Sequence, residues 1–191
     1  DVPAEESFAR GEGERLTALV ALLHALELAP EVLLAKPLPR FLADGRVPDP
    51  LAYSYPLVRV PLADGDVTLD PGLRFVPFDY VPPIVQGRPA LSLSRETPGA
   101  TTTLPPFVAA AEARVVTVQL VLSDDGDTLH GSVAEELRGI QGVTLRELFV
   151  GASESEVRGL VEILARGIVS RARLTDLTIH NLRAADEPLR L

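Results

Sequence analysis

The stretch from Gly11 to Leu28 constrains the fold most, because it is apolar nearly all the way round a helix. Its large apolar residues recur at the three- and four-residue spacing of one helical face: Leu16, Leu19, Val20, Leu23 and Leu26. Alanines and one further leucine fill the other faces. A helix of this kind is usually buried on several sides. We therefore expect strands to pack around it.

Composition narrows the class of protein. With 191 residues and 46% hydrophobic content, the chain has room for a core in one domain or two small ones. The net charge of −9 argues against nucleic-acid binding, and no apolar run is long enough for a membrane span. The absence of cysteine excludes disulfides, thiolate metal sites and a cysteine nucleophile. Because the sequence begins at Asp1 without a Met, we expect a piece of a larger protein.

The first half carries strand signals around a proline-rich loop. Residues 31–36 read as a short buried strand, and residues 57–62 and 67–71 as a β-hairpin closed at Asp64-Gly65. A further strand is expected at 90–94. The polar stretch that follows, rich in proline and glycine, predicts a boundary between domains 1–100 and 101–191.

The second half predicts a small α+β module. A long β-branched run, 113–122, precedes an Asp-Gly turn, and the segment 128–137 returns with apolar residues on one side, which favours a hairpin. A short helix is expected at 143–151. Ser153 with Glu156 forms a capping box before an amphipathic helix over 154–169, and a last strand is expected at 173–182. The predicted fold class is α+β.

Known catalytic and cofactor motifs are absent. No phosphate-binding glycine loop is present, and the three histidines, His24, His130 and His180, stand alone without ligand spacing. The acidic cluster 123–127 is explained by turn chemistry rather than calcium binding. The sequence therefore predicts no cofactor and no metal site.

The order of parts in residues 8–94 resembles the core of the bacterial transglutaminase-like family, which has a papain-type cysteine–histidine–aspartate arrangement. In that family a helix opens with a motif like G-x-C-x-D, a hairpin strand carries a histidine in a pattern like F-N-H, and the next strand ends in a pattern like W-L-D-P. Here the corresponding stretches are residues 11–15, 53–56 and 68–71. Residues 86–91 resemble the G-x-x-A-L stretch that often follows the core. The resemblance implies a buried helix against antiparallel strands.

The departures from the family motif imply a catalytically silent core. Gly13 stands where the nucleophile would be and Tyr55 where the base would be, so only Asp70 matches the triad. Glycine has no nucleophile, and a tyrosine is a poor general base near neutral pH. The alternative interpretation of Asp70 is a structural one, as a turn or cap residue before Pro71.

We expect a non-catalytic binding or scaffolding domain of a larger bacterial protein, with other proteins or other domains of its parent chain as partners. A vestigial cleft would bind an extended peptide through Tyr55, Phe75, Phe78 and Tyr80. The alternative is an active hydrolase or transferase using Tyr55, Asp70 and Glu14. The resemblance favours an extracytoplasmic, periplasmic location and leaves a cytoplasmic one open.

Overall fold

A computed structural model describes residues 14–38, 52–94 and 99–191. The chain divides into two compact units: the part up to Arg74 together with Phe78–Phe107, and Phe75–Pro77 together with Val108–Leu191. The described residues hold three α-helices and two antiparallel sheets, one in each unit. The fold class is therefore α+β, as predicted.

The first unit is built on a five-stranded sheet. Its strands are β1 (Glu31–Ala35), β2 (Tyr55–Leu62), β3 (Gly65–Leu69), β4 (Pro89–Ser92) and β5 (Thr101–Thr103). Their order across the sheet is β3-β2-β1-β4-β5, and all neighbouring strands are antiparallel. The predicted hairpin is confirmed as β2–β3. Leu62 pairs with Gly65, so Ala63 and Asp64 form the tight turn, and Gly65 supplies the positive φ of 130° that follows it.

The apolar helix lies on one face of this sheet rather than at the centre of the fold. Helix α1 (Arg15–Ala25) packs Leu23 against Val58 and Val60 of β2. Leu23 is the helix's single buried residue, while Leu22 is exposed. The expectation of burial on several sides was wrong, because apolar residues all round a helix do not by themselves supply neighbours for every face.

The opposite face of the sheet holds the larger core of the first unit. Its buried members come from strands β1, β2 and β4 and from the loops: Leu33, Ala35, Leu57, Val81, Val85, Ala90 and Leu104. Strand β5 pairs with β4 and so belongs to this sheet. Residues 101–103, which the sequence analysis placed in the second domain, complete the first sheet.

The second unit joins a three-stranded sheet to two helices. A 3-10 helix (Ala109–Glu112) precedes strands β6 (Arg114–Leu122) and β7 (Leu129–Leu137), which form the predicted hairpin, and helices α2 (Gly139–Gly151) and α3 (Glu154–Ile168) follow. Strand β8 (Leu189–Arg190) completes the sheet in the order β6-β7-β8. The buried core consists of Leu137, Phe149, Val157, Val161 and Leu189.

Both helices of the second unit have a carboxylate cap at their N-terminus. Ser153 and Glu156 form the predicted capping box at the start of α3, where the Ser153 N–H donates to Glu156 Oε2 at 2.8 Å. At α2 the cap comes from a distant residue, since Ile140 N donates to Glu112 Oε2 at 2.9 Å. Gly139 leaves the space that the Glu112 carboxylate occupies and has a positive φ of 61°.

The predicted strand at 173–182 was wrong. Only His180 makes an isolated bridge there, to Arg190, and the final strand is β8. The backbone carbonyls of this region instead accept hydrogen bonds from arginines of the helices. Arg158 Nη2 donates to Leu174 O and Thr175 O, each at 2.5 Å, and these contacts replace a ladder to a neighbouring strand.

Candidate functional site

Two of the predicted positions, Tyr55 and Asp70, lie in direct contact. Tyr55 begins β2 and Asp70 follows the end of β3, so the antiparallel pairing of these strands brings both to the same end of the sheet. The Tyr55 hydroxyl donates to Asp70 Oδ2 at 2.6 Å, and the Gly72 N–H donates to Asp70 Oδ1 at 2.7 Å. Asp70 is buried. Both of its carboxylate oxygens therefore accept a hydrogen bond.

The start of α1 reaches the same end of the sheet. Arg15 Nη1 donates to the carbonyl oxygen of Gly72 at 3.2 Å, two residues beyond Asp70. Gly13 lies outside the described residues, and Glu14 is exposed. The structure thus brings the helix start, Tyr55 and Asp70 together, while the position of Gly13 itself stays a prediction.

The environment of Tyr55 keeps its phenol protonated. Burial is the largest cause that raises the pKa of Tyr55 above its ordinary value of 10.0, and the hydrogen bond to Asp70 and the charge of Asp70 raise it further. A general base must be unprotonated near the working pH so that it can accept a proton. Tyr55 is therefore a hydrogen-bond donor to a buried carboxylate, which argues against its use as a base.

The four aromatic residues expected to bind a peptide differ in burial. Tyr80 is buried in the first unit, and Phe78 is 68% exposed. Phe75 is grouped with the second unit, and Tyr55 is partly covered by the core of the first. Tyr80 is therefore inaccessible to a ligand, and the peptide cleft loses one of its expected walls.

A polar ladder crosses the other end of the first sheet. Arg59 of β2 donates through Nε to Glu31 of β1 at 2.7 Å, Ser92 of β4 donates to the same carboxylate, and Asp66 of β3 lies 3.7 Å from Arg59. Burial alone would raise the pKa of Glu31, but the hydrogen bonds from Ser92 and Arg59 and the charge of Arg59 lower it. The Glu31 carboxylate accepts hydrogen bonds from both neighbouring strands, so we interpret the ladder as a network that stabilises the sheet.

The described residues contain no cluster of three or more His, Asp or Glu that could hold a metal ion. The three histidines are exposed. The acidic segment 123–127 forms the β6–β7 turn, in which Asp125 Oδ1 accepts from the Asp127 N–H at 3.1 Å. Among the described residues no helix is long and apolar enough to cross a membrane.

The surface that the sequence did not single out is strand β6. All nine of its residues are exposed, although most are β-branched or leucine. On one face lie Val116, Val118, Leu120 and Leu122, and on the other Val115 and Val121, with Val121 70% exposed. A strand that covers a core should alternate apolar and polar residues. The apolar residues at both alternate positions of RVVTVQLVL were the signal that could have revealed this surface.

The outer backbone edge of β6 is defined by its hydrogen bonds to β7. At the two ends of the hairpin, Arg138 N donates to Ala113 O at 2.9 Å and Ser123 N donates to Thr128 O at 2.8 Å. Inward and outward pairs alternate along an antiparallel strand, so the even-numbered residues 114–122 direct their N–H and C=O groups away from β7. Within the described ranges β6 pairs with β7 alone. These outward groups therefore form an open strand edge.

An open groove runs between this edge and α3. It has a volume of about 430 Å³ and is lined by Arg114 and Val116 of β6 and by Ile163, Leu164, Gly167 and Ile168 of α3. Ile163 is 65% exposed. Arg114, which forms an ion pair with Glu135 of β7, is the one charged residue of this lining. The groove adds side-chain pockets to the backbone edge.

Comparisons with protein-family models, with curated proteins and with solved structures found no match to this chain. The resemblance to the transglutaminase-like family therefore remains a prediction, carried by the residues quoted for it.

Proposed function

We propose that this chain is a non-catalytic binding or scaffolding domain of a larger bacterial protein, and that it recognises protein by strand addition at the outer edge of β6. The observation that carries the proposal is a nine-residue, mostly apolar strand whose residues are all exposed and whose alternate backbone groups point outward. Natural edge strands are usually shielded by lysine, proline, a bulge or a covering segment. Strand β6 has no lysine or proline, and an exposed apolar edge of this length favours a β-strand partner.

The partner strand is defined by the chemistry of the edge. It must offer its own backbone N–H and C=O groups and apolar side chains at alternate positions, to pack beside Val116, Val118 and Leu120. The outer edge carries no acidic side chain, although the whole chain has a net charge of −9. A neutral or basic strand is therefore favoured over an acidic one.

The first unit supports the non-catalytic part of the proposal. The contact between Tyr55 and Asp70 is what the transglutaminase-like resemblance would lead one to expect of its base and aspartate positions. A phenol whose pKa is raised and a position 13 without a side chain supply neither the nucleophile nor the base that the family has at these two positions. The transglutaminase-like assignment and an extracytoplasmic location belong to this proposal.

The test uses a peptide of alternating valine and threonine with lysine at both ends, added to dilute protein. Binding is measured by calorimetry and by changes in backbone amide NMR signals. Val118→Pro removes an outward N–H but no hydrogen bond to β7, and edge strands tolerate proline at such positions. We expect the peptide to shift the β6 amides of the wild-type chain, and expect Val118→Pro to abolish binding while the fold persists.

Leu148→Lys is the control, since Leu148 is exposed on α2, outside β6 and the groove. Peptide binding that survives Val118→Pro unchanged would overturn the proposal, and so would the absence of peptide binding by a wild-type chain that is monomeric under the same conditions.

A further inference from the structure

The outer edge of β6 is close to a palindrome about Val118. The residues on either side of Val118, Thr117 and Gln119, are both polar. The next two residues in each direction are apolar. The matched apolar pairs are Val116 with Leu120 and Val115 with Val121. A two-fold symmetric contact requires such self-complementarity, because each residue i meets residue j and each j meets i.

The positions of the outward backbone groups are also compatible with a pairing centred on Val118. The outward N–H and C=O groups belong to the even-numbered residues of β6, so an added antiparallel strand must form its hydrogen-bonded pairs with those residues. If two copies of β6 pair with Val118 opposite Val118, then Val116 meets Leu120, an even-numbered residue in each case. Backbone register and side-chain matching are thus satisfied together from Val115 to Val121, while Arg114 stands opposite Leu122 at each end.

The groove beside α3 lies where this pairing would place leucines. It opens next to Arg114 and Val116, and in the symmetric register these residues stand opposite Leu122 and Leu120 of the second copy. Paired residues of an antiparallel ladder project to the same face. Both leucines would therefore enter the groove from the side, against the exposed side chain of Ile163.

Charge is compatible with this contact at short range. Strand β6 carries no acidic residue, and its one charged residue, Arg114, would lie near the Asp124 turn of the second copy. Two chains of net charge −9 repel each other at long range, and salt screens that repulsion. Association through β6 should therefore strengthen as ionic strength rises.

We propose, resting on the function proposed above, that the partner strand is β6 of a second copy of this chain, paired antiparallel about Val118. The two three-stranded sheets then form one continuous six-stranded sheet with the order β8-β7-β6-β6-β7-β8. Leu120 and Leu122 of each copy fill the α3 groove of the other.

The first test is the mass of the full chain by sedimentation equilibrium over a range of concentrations and salt. Wild type should form a dimer, more tightly at higher salt. Val118→Lys places two ammonium groups directly opposite each other and should weaken the dimer by roughly tenfold or more. Leu148→Lys should leave the dimer unchanged.

The second test determines the register of the β6–β6 pairing by disulfide cross-linking. The chain has no cysteine of its own, so each introduced cysteine is the only thiol of its chain. Residues directly opposite in a hydrogen-bonded pair have Cα atoms about 5.5 Å apart, within the range of a disulfide. Under mild oxidation Val118→Cys should cross-link to itself, Val116→Cys alone should not, and a mixture of Val116→Cys with Leu120→Cys should. Leu148→Cys is the control for random collision.

A monomer at every concentration, or a dimer that is insensitive to Val118→Lys and cross-links Val118→Cys no better than Leu148→Cys, would overturn the proposal. Binding of the valine–threonine peptide by a chain that stays monomeric would leave the strand-addition function standing and remove only the second copy as partner. Failure of both peptide binding and self-association would remove both.

Discussion

At the scale of single residues, the contact between Tyr55 and Asp70 is a structural bond whose loss should be measurable. Tyr55→Phe removes the hydroxyl and leaves buried Asp70 with its remaining donor, the Gly72 N–H. An unsatisfied buried acceptor costs about 1–3 kcal/mol. We expect a loss of that size in the free energy of unfolding of the first unit, measured by urea denaturation with circular dichroism. Tyr53→Phe is the control for removing a phenol from the same segment.

The same bond gives stability a dependence on pH. Because the pKa of Tyr55 is raised in the folded chain above 10.0, the unfolded tyrosine loses its proton first as pH rises. The bond's full stabilisation is present below pH 10, and stability falls above it. Urea titrations at increasing alkaline pH should show a steeper loss for wild type than for Tyr55→Phe. Parallel curves for the two proteins would contradict the shift.

Two glycines of the second unit should respond to alanine in opposite directions. A Cβ at Gly131 of β7 would collide with the backbone carbonyl of Gln119 on β6, whereas a Cβ at Gly159 of α3 meets nothing within 4 Å. We expect Gly131→Ala to disrupt the hairpin. Gly159→Ala should stabilise the unit by about 0.5–1 kcal/mol through helix propensity. Thermal unfolding of both variants checks the signs, and equal effects would count against the close approach at Gly131.

At the scale of elements, Arg146 holds the irregular C-terminal segment to α2. Arg146 is 2% exposed, and its guanidinium donates to three backbone carbonyls, those of Asn181 at 3.3 Å, Ala184 at 3.1 Å and Glu187. Burial lowers the pKa of Arg146, yet an arginine stays charged. These carbonyls supply the acceptors that a buried charge needs.

We expect Arg146→Met to remove one donor from each of three carbonyls, of which those of Asn181 and Ala184 keep a backbone N–H donor. The free energy of unfolding of the second unit should fall by about 1–3 kcal/mol. Hydrogen exchange of the amides from 181 to 191 should rise first. Arg138→Gln is the control, since Arg138 is an exposed arginine beside the same helix. A similar loss in both variants would show that the carbonyl contacts are not the cause.

Elements whose signal is local were predictable from the sequence, and those fixed by distant partners were not. Both hairpins carry an Asp-Gly dipeptide between two strand segments, and α3 carries its own capping box, so each was found. The segment 173–182 alternates like a strand, but Arg146 and Arg158 take its carbonyls from far along the chain. The Glu112 cap of α2 lies 28 residues away.

The candidate sites divide in the same way. Tyr55 and Asp70 could be placed together because the hairpin between them is local, and the structure brings them into contact. The exposure of β6 depends on whether another part of the fold packs against it. A local sequence pattern carries no information about such distant neighbours. Its apolar residues on both faces were visible in the sequence, but they fit a strand buried on both sides equally well.

At the scale of the whole molecule, the two units keep separate hydrophobic cores. The clusters around Leu57 and Val58 share no residue with the cluster around Phe149. We therefore expect unfolding in two transitions rather than one. Leu57→Ala should lower the free energy of the first unit, and Phe149→Ala that of the second, each by about 2–5 kcal/mol. Hydrogen exchange followed by mass spectrometry assigns each transition to its unit.

Association through β6 should stabilise only one of these transitions. Since β6 belongs to the second unit, a dimer that requires folded β6 stabilises that unit by mass action. The transition reported by its amides should therefore move to higher denaturant as protein concentration increases, while that of the first unit stays fixed. Val118→Lys should remove the concentration dependence without changing the transition of the first unit. A shift of both transitions with concentration would instead place the self-association surface across more of the chain than β6.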